Sequence, residues 1–379
     1  MNHDMNPILK YLNNLFAKRR VLGGETQLKG LAATDALLLD LVNTKRVPGL
    51  SITALKKGNI LLQKGYGYAD LENKVLVDPK RTVFRVASVS KPIAATALAI
   101  MVSEGLIDLD SSFYEYVPYY PKKKWDFTIR HLASHTAGIR GYKGMEYGLN
   151  RPYNIKQSIE IFKDDELLFE PGTGYLYNSF DWVLISLAMQ EASSVPFEAY
   201  VQEKVLEPLG MIHTYTPENR PLSPANEGVN VADFVEQSKC TISNFYSKSC
   251  KGFRNAVPVN NFYKLAGGGY LSTSEDIAQL GQAYLEGTIL NHEIRSRFLT
   301  SQKIDGDPIY YGLGWQVSKD AKGRPFYGHI GNGVGGYSNF FVYPEEKMVI
   351  SILINCTDPK VQRTLDEVVD LLLEESDLL

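Results

Sequence analysis

The sequence predicts an α/β protein of the α+β kind. An antiparallel sheet is flanked by N- and C-terminal helices, and a mostly helical domain is inserted between its two parts. Three observations carry this. Near the N-terminus, "GLSITALKKGNILLQKGYGYAD" reads as two strands around a Lys-Gly-Asn turn. Toward the other end, four strand-like segments crowd together at 313–318, 325–330, 337–343 and 347–354. Strands this close in sequence pair antiparallel, because parallel neighbours need long crossovers. Between these groups, from about 89 to 263, the pattern is mostly helical with long loops.

In chain order, residues 6–20 and 29–45 read as helices, the first inside an N-terminal helical extension spanning 1–28. The strand pair follows. Residues 88–105 are apolar nearly all round, which marks a buried helix. An Asn- and Ser-rich stretch at 223–262 reads as loop. Beyond Gly267 come a helix at 274–286, the four strands, and a terminal helix from about 358. The sheet domain then comprises 29–88 and 264–379, the helical domain 89–263, and the active site lies between them.

Composition bounds the function. The chain has 379 residues, 44% hydrophobic and 22% charged, enough for an ample core. A net charge of −3 gives no electrostatic case for nucleic acid. No apolar run reaches about 18 residues, so no transmembrane segment is expected. In "MNHDMNPILKYLNNLFAKRR", Asn13 and Asn14 interrupt the apolar stretch and the basic residues follow it, which is not the shape of a signal peptide. A packed terminal helix is the expected role there, ahead of a helix that touches a membrane or a partner, and a cytoplasmic location is expected. Cys240, Cys250 and Cys356 cannot form a disulfide framework. Reduced thiols are expected, with a lone Cys240–Cys250 bridge as the alternative.

Chemistry concentrates in "RVASVSKPIAATALAIMVSEGL", residues 85–106. Ser88 and Lys91 stand three apart, one turn apart on one helix face. Ser90 has Ile93 at that spacing instead. A serine hydroxyl needs a proton acceptor before it attacks a carbonyl, and an amine whose pKa burial has lowered can serve. N–H groups at the helix start would steady an oxyanion. The plain alternative is a capped core helix with Pro92 in its first turn.

Other signals carry less. Gly331-x-Gly333-x-x-Gly336 has the letters of a dinucleotide fingerprint, but a strand follows where a helix must open. His131 and His135 lack a third metal ligand and read as packing and loop contacts. The glycine run 267–269 reads as a close strand approach rather than a phosphate cradle. "PKKKW" at 121–125 reads as a solvated loop.

Together the blocks resemble the serine β-lactamase and penicillin-binding-protein family, in its class C and esterase-like branch. "FRVASVSKPIAATAL" looks like its nucleophile helix, "TIRHLASHTAGI" its following segment, and "FEPGTGYLYNSFDWVLISL" the stretch with its catalytic tyrosine. "KLAGGGYLSTSEDIAQL", "YGLGWQV" and "GHIGNGVGGYSNFFVYPEE" resemble further blocks, in family order, over roughly residues 46–355. The wording looks like the mitochondrial protease-like branch and its bacterial relatives.

The resemblance implies roles. Ser88 is the nucleophile, with Lys91 and Tyr177 as base and proton shuttle. Tyr177-Asn178-Ser179 stands where Tyr-x-Asn is usual, so Ser179 replaces a substrate-binding asparagine. The literal Tyr337-Ser338-Asn339 falls in the wrong place. His329-Ile330-Gly331 is the third motif, where β-lactamases often show Lys-Thr-Gly, and His329 and Gly331 are expected to face substrate. Gly331 is expected to let substrate lie against its strand. The N–H groups of Ser88 and Asn332 form the oxyanion hole. Neither metal nor cofactor is required. The expected function is a serine hydrolase acting through an acyl-enzyme on a small-molecule ester, a peptide amide or a β-lactam-like compound. A true β-lactamase or D-Ala-D-Ala carboxypeptidase, or an acyltransferase, is the alternative within the class. A non-catalytic penicillin-recognising or self-assembling structural protein is the alternative outside it, and an oligomer is allowed.

Overall fold

The computed structural model describes residues 30–218 and 240–376. The expected helix at 6–20, the extension 1–28 and part of the 223–262 stretch lie outside the described residues.

Seven antiparallel strands form the main sheet. They are β1 (Gly49–Lys56), β2 (Asn59–Asp70), β3 (Val75–Leu76), β4 (Gln316–Lys319), β5 (Pro325–Gly333), β6 (Gly336–Tyr343) and β7 (Met348–Ile354), in the spatial order β4-β5-β6-β7-β1-β2-β3. The sheet thus draws on both ends of the chain, joined where β1 pairs with β7 from Leu50–Ile354 to Lys56–Met348. The central strands are buried on both faces, and their period of two divides the core. Leu50, Ile52 and Ala54 of β1 join Ile350, Ile352 and Ile354 of β7 under two terminal helices, α1 (Gly30–Asn43) and α5 (Gln362–Ser376), through Leu38, Leu41, Leu365 and Leu372. The alternate residues Ser51 and Thr53 face the opposite layer, where both hydroxyls meet Ser274 Oγ, at 2.6 and 2.9 Å.

That layer holds α2 (Ser90–Ser103), α3 (Phe180–Ser193) and α4 (Ser274–Glu286). Helix α2 is buried on every side over its first ten residues, as its composition demands. Helix α4 begins at Thr273, whose side chain accepts from the Asp276 N–H, and carries Glu275 and Asp276 in the first turn, where the helix dipole favours them.

Three local expectations need correction. Residues 313–315 are not strand: the Leu313 and Gly314 N–H groups bond to the Phe298 and Ala133 carbonyls, so the ladder begins at Gln316. Helix His292–Leu299, capped by Asn291, was not expected. The described part of the Asn- and Ser-rich stretch contains strands Thr241–Ile242, Tyr246–Ser249 and Gly252–Asn255. Tyr246–Ser249 finds a parallel partner in Cys356–Thr357, a pairing no local pattern announces. Cys240, Cys250 and Cys356 are all free thiols. Among the described residues, no helix is long and apolar enough to cross a membrane.

Helix α4 approaches the sheet closely at Gly281. A Cβ there would lie 2.5 Å from Val349 Cγ1 and 2.9 Å from Phe340 Cε2. Gly281→Ala is expected to overpack this layer and cost about 1–3 kcal/mol despite alanine's better helix propensity. The check is the thermal unfolding midpoint, which falls; an unchanged or raised midpoint would contradict the packing.

Candidate active site

Ser88 does not lie on α2. It sits in one 3₁₀ turn, Ala87–Val89, between strand Thr82–Arg85 and the helix. Ala87 has φ +45°, a left-handed conformation that costs a residue with a Cβ and persists only where its surroundings enforce it. Those surroundings are visible. Ser338 Oγ donates to the Val86 carbonyl at 2.7 Å, the Val86 N–H donates to the Tyr270 carbonyl at 3.3 Å, and Ser90 Oγ accepts from the Tyr270 N–H at 3.1 Å. Ser90 is therefore a fully buried structural serine, while Ser88 stays half-buried.

Three side chains converge on the turn. Lys91 Nζ donates to Tyr177 Oη at 2.7 Å, to the Gly267 carbonyl at 2.8 Å and, more loosely, to Ser88 Oγ at 3.3 Å. Tyr177 Oη donates to Ser88 Oγ at 2.7 Å. Lys91 is wholly buried, and among the described residues no carboxylate lies within 4 Å of it. Burial, reinforced by the charge of Lys264 and opposed by Asp181, lowers its pKa to about 7. Burial pushes the Tyr177 phenol far above its usual range, with the Ser88 hydrogen bond a smaller opposing influence. Near pH 7 the tyrosine is therefore neutral, and the lysine gives up its proton far more readily than a solvated amine.

Beside this triangle lies a cavity of about 130 Å³. Ser88, Tyr177, Ser179 and Asn332 line it, together with Arg85 and Lys264. The Asn332 carbonyl accepts from Tyr147 Oη at 3.2 Å. In a strand the N–H and C=O of one residue point to the same side, so the Asn332 N–H faces that side too.

Two expected substrate contacts are corrected. His329 does not line the cavity. It is buried, with Nδ1 2.7 Å from the Ile330 carbonyl and Nε2 3.0 Å from Tyr311 Oη. A carbonyl only accepts, so Nδ1 carries the hydrogen and Nε2 accepts from Tyr311. Gly331 does not make room for substrate. A Cβ there would lie 2.4 Å from the Val86 carbonyl and 3.0 Å from the Ser88 nitrogen, so the turn itself fills that space.

The discounted signals have structural roles. Tyr337 and Asn339 both donate to Gln362 on α5, away from the cavity. His131 Nδ1 accepts from the Thr128 N–H and closes a capping box. His135 lies 2.7 Å from Asp181, and both are buried. Burial pushes the histidine down and the carboxyl up, so the pair shares one proton without net charge. Asn178 donates to that same carboxylate, which anchors the Tyr177 segment. Sequence reasoning gave no role to Arg85, Lys264, Tyr142, Tyr147 or Asp181. Lys264 stands in the quoted "KLAGGG" block, but nothing in its spacing marks it.

A mixed fold with an antiparallel sheet between two helical layers, and a Ser-x-x-Lys segment at a turn–helix junction closed by a distant tyrosine, defines a β-lactamase- and transpeptidase-like protein. The chain belongs to the family described as Beta-lactamase, which matches residues 34–374. It is 27% identical over 414 residues to the human (Homo sapiens) "Serine beta-lactamase-like protein LACTB, mitochondrial", covering 84% of this chain and 73% of that one. It is 25% identical over 323 residues to "Penicillin-binding protein 4*" of Bacillus subtilis (strain 168), covering 80% and 67%. Among solved structures it is similar to the octameric penicillin-binding protein homologue from Pyrococcus abyssi, with TM-score 0.74 and 25% identity over 90% of this chain and 77% of that one.

The hydrogen bonding of His329 makes a direct prediction. Burial first, then the Lys91 charge, lowers its pKa to about 3. Its ring is expected to stay neutral, protonated at Nδ1, from pH 8 down to pH 5. Long-range ¹H–¹⁵N NMR checks this, and a titration centred near 6.5 would refute it.

Proposed function

We propose that this protein is a serine hydrolase that cleaves an ester or amide bond of a small molecule or peptide through an acyl-enzyme on Ser88. The observation that carries the reading is the closed triangle of Ser88, Tyr177 and a buried Lys91 that has no carboxylate within 4 Å among the described residues. Membership of the Beta-lactamase family and the likeness to a penicillin-binding protein support it.

In this reading Ser88 Oγ attacks the carbonyl carbon. Its proton passes to Tyr177 Oη as the tyrosine's own proton passes to neutral Lys91. Because the phenol resists ionisation, the lysine is the final acceptor. The oxyanion accepts from the N–H groups of Ser88 and Asn332. The tetrahedral adduct collapses, the carbonyl–leaving-group bond breaks, and the leaving group takes a proton from Tyr177, which Lys91 replenishes. Water then attacks the acyl ester, giving its proton to the same pair. The acid leaves and the Ser88 hydroxyl is restored.

A β-lactamase or D-Ala-D-Ala carboxypeptidase is the second reading. It is favoured by the cations lining the cavity and disfavoured by Ile330 and the buried His329 in the third motif. Parallel assays with a chromogenic cephalosporin and a short-chain nitrophenyl ester separate the two.

Two outcomes are expected. A fluorophosphonate adds one covalent adduct to the wild-type chain, seen by intact mass, and none to Ser88→Ala; an adduct that survives the substitution removes Ser88 as nucleophile. The working base must be deprotonated, so kcat/KM for 4-nitrophenyl acetate rises with pH through about 7, following Lys91. In Lys91→Met that rate falls by about 10²-fold or more, and a profile flat from pH 5 to 9 in the wild type would count against the amine.

A further inference from the structure

The cavity beside Ser88 holds two cations, and no acid is among its described lining residues. Lys264 is only 7% exposed. Its ammonium makes one hydrogen bond, to the Tyr147 carbonyl at 3.3 Å. Three aromatic rings, Tyr142, Tyr147 and Tyr263, lie 4.9, 5.3 and 5.4 Å from it. Arg85 is half-buried, stacked 3.9 Å over the Phe245 ring, and its guanidinium donates to the Val334 carbonyl at 2.8 Å. Lysine offers three donors and arginine five, so most remain unused. Among the described residues, neither cation has a carboxylate within 4 Å.

We infer that Arg85 and Lys264 form a subsite for a carboxylate carried by the substrate. The inference rests on the hydrolase reading and narrows its substrate class. A buried cation is costly unless paired, and two neighbours of like sign cost more. Consistent with that cost, burial and the Arg85 charge lower the Lys264 pKa to about 7, and burial lowers that of Arg85 to about 10. Depressing Lys91 accounts for one of these charges at most. A carboxylate on both satisfies their open donors and removes the repulsion, and charge-assisted bonds of this kind are the strong ones. The third motif offers no competing grip: Ile330 is apolar, and His329 is buried and already bonded at both nitrogens.

The test compares matched esters. On the leaving-group side, 3-acetoxybenzoate is set against 3-acetoxybenzamide. On the acyl side, 4-nitrophenyl esters whose chain ends in a carboxylate are set against those ending in a carboxamide. One carboxylate arm is expected to show at least about tenfold higher kcat/KM than its amide. The ratio falls toward one in Lys264→Met and Arg85→Met, and also as salt is raised for the wild type. The arm that responds tells on which side of the scissile bond the anion sits. Equal rates on both arms, with the neutral esters turned over, overturn the inference and leave the hydrolase reading standing. If a variant fails to fold, the wild-type ratio and its salt dependence decide. If neither turnover nor a phosphonate adduct is seen, the hydrolase reading falls. Calorimetry with 3-acetamidobenzoate and its carboxamide then decides the inference: binding of the carboxylate alone sustains it, and equal or no binding ends it.

Discussion

The site depends on one lysine amine enclosed by protein with, among the described residues, no carboxylate within 4 Å to hold its proton. Moving Lys91 from an ordinary 10.5 to about 7 corresponds to roughly 5 kcal/mol of preference for the neutral amine. On the surface, or beside an ionised aspartate, the same side chain would stay protonated and could accept nothing. The buried acid Asp181 only partly opposes this shift: burial favours its protonated form, and its carboxyl bonds to His135 and Asn178 rather than to the amine. The all-round burial of α2 thus sets the protonation balance of this amine as well as the packing of the layer.

Holding that lysine against Ser88 and Tyr177 requires segments far apart in the chain to meet without gaps. The β5–β6 hairpin does much of this. Its Gly331, Gly333 and Gly336 all face the turn carrying Ser88: a Cβ on Gly333 would stand 3.1 Å from Ala87 Cβ, and one on Gly336 would stand 2.5 Å from the Arg85 carbonyl. The glycine spacing that mimics a dinucleotide fingerprint is, physically, what lets a strand edge press against a strained turn. That pressure, with Ser338 on the Val86 carbonyl, holds Ala87 at its positive φ.

Local patterns made some of this readable. The Lys-Gly-Asn turn and the alternation around it announced β1 and β2, and apolar periodicity announced α2 and α4. That Ser88 and Lys91 meet was readable from spacing, and that Tyr177 joins them from the resemblance of its block. His329 was misread because its fate is set by Tyr311, in a separate segment that fills its second nitrogen. Strand Tyr246–Ser249 was missed because its partner lies far along the chain at Cys356–Thr357. Arg85 and Lys264 were missed for another reason: what sets them apart is that no acid among the described residues lies within 4 Å of either, a property of three-dimensional neighbourhood that no spacing encodes.

The charge on one lysine also bears on the other. Lys91 and Lys264 are both poised near 7, and the charge on Lys264 depresses Lys91. Burial lowers both amines, so burial alone does not assign the base role to either. An anion seated on Lys264 and Arg85 breaks that symmetry. It would hold the proton on Lys264, which lines the cavity, and leave the neutral state to Lys91, which bonds to Tyr177 and Ser88. A substrate carrying such an anion would then select the reactive protonation state as it binds, whereas an uncharged ester would meet a mixture. Binding and base formation would then be one event.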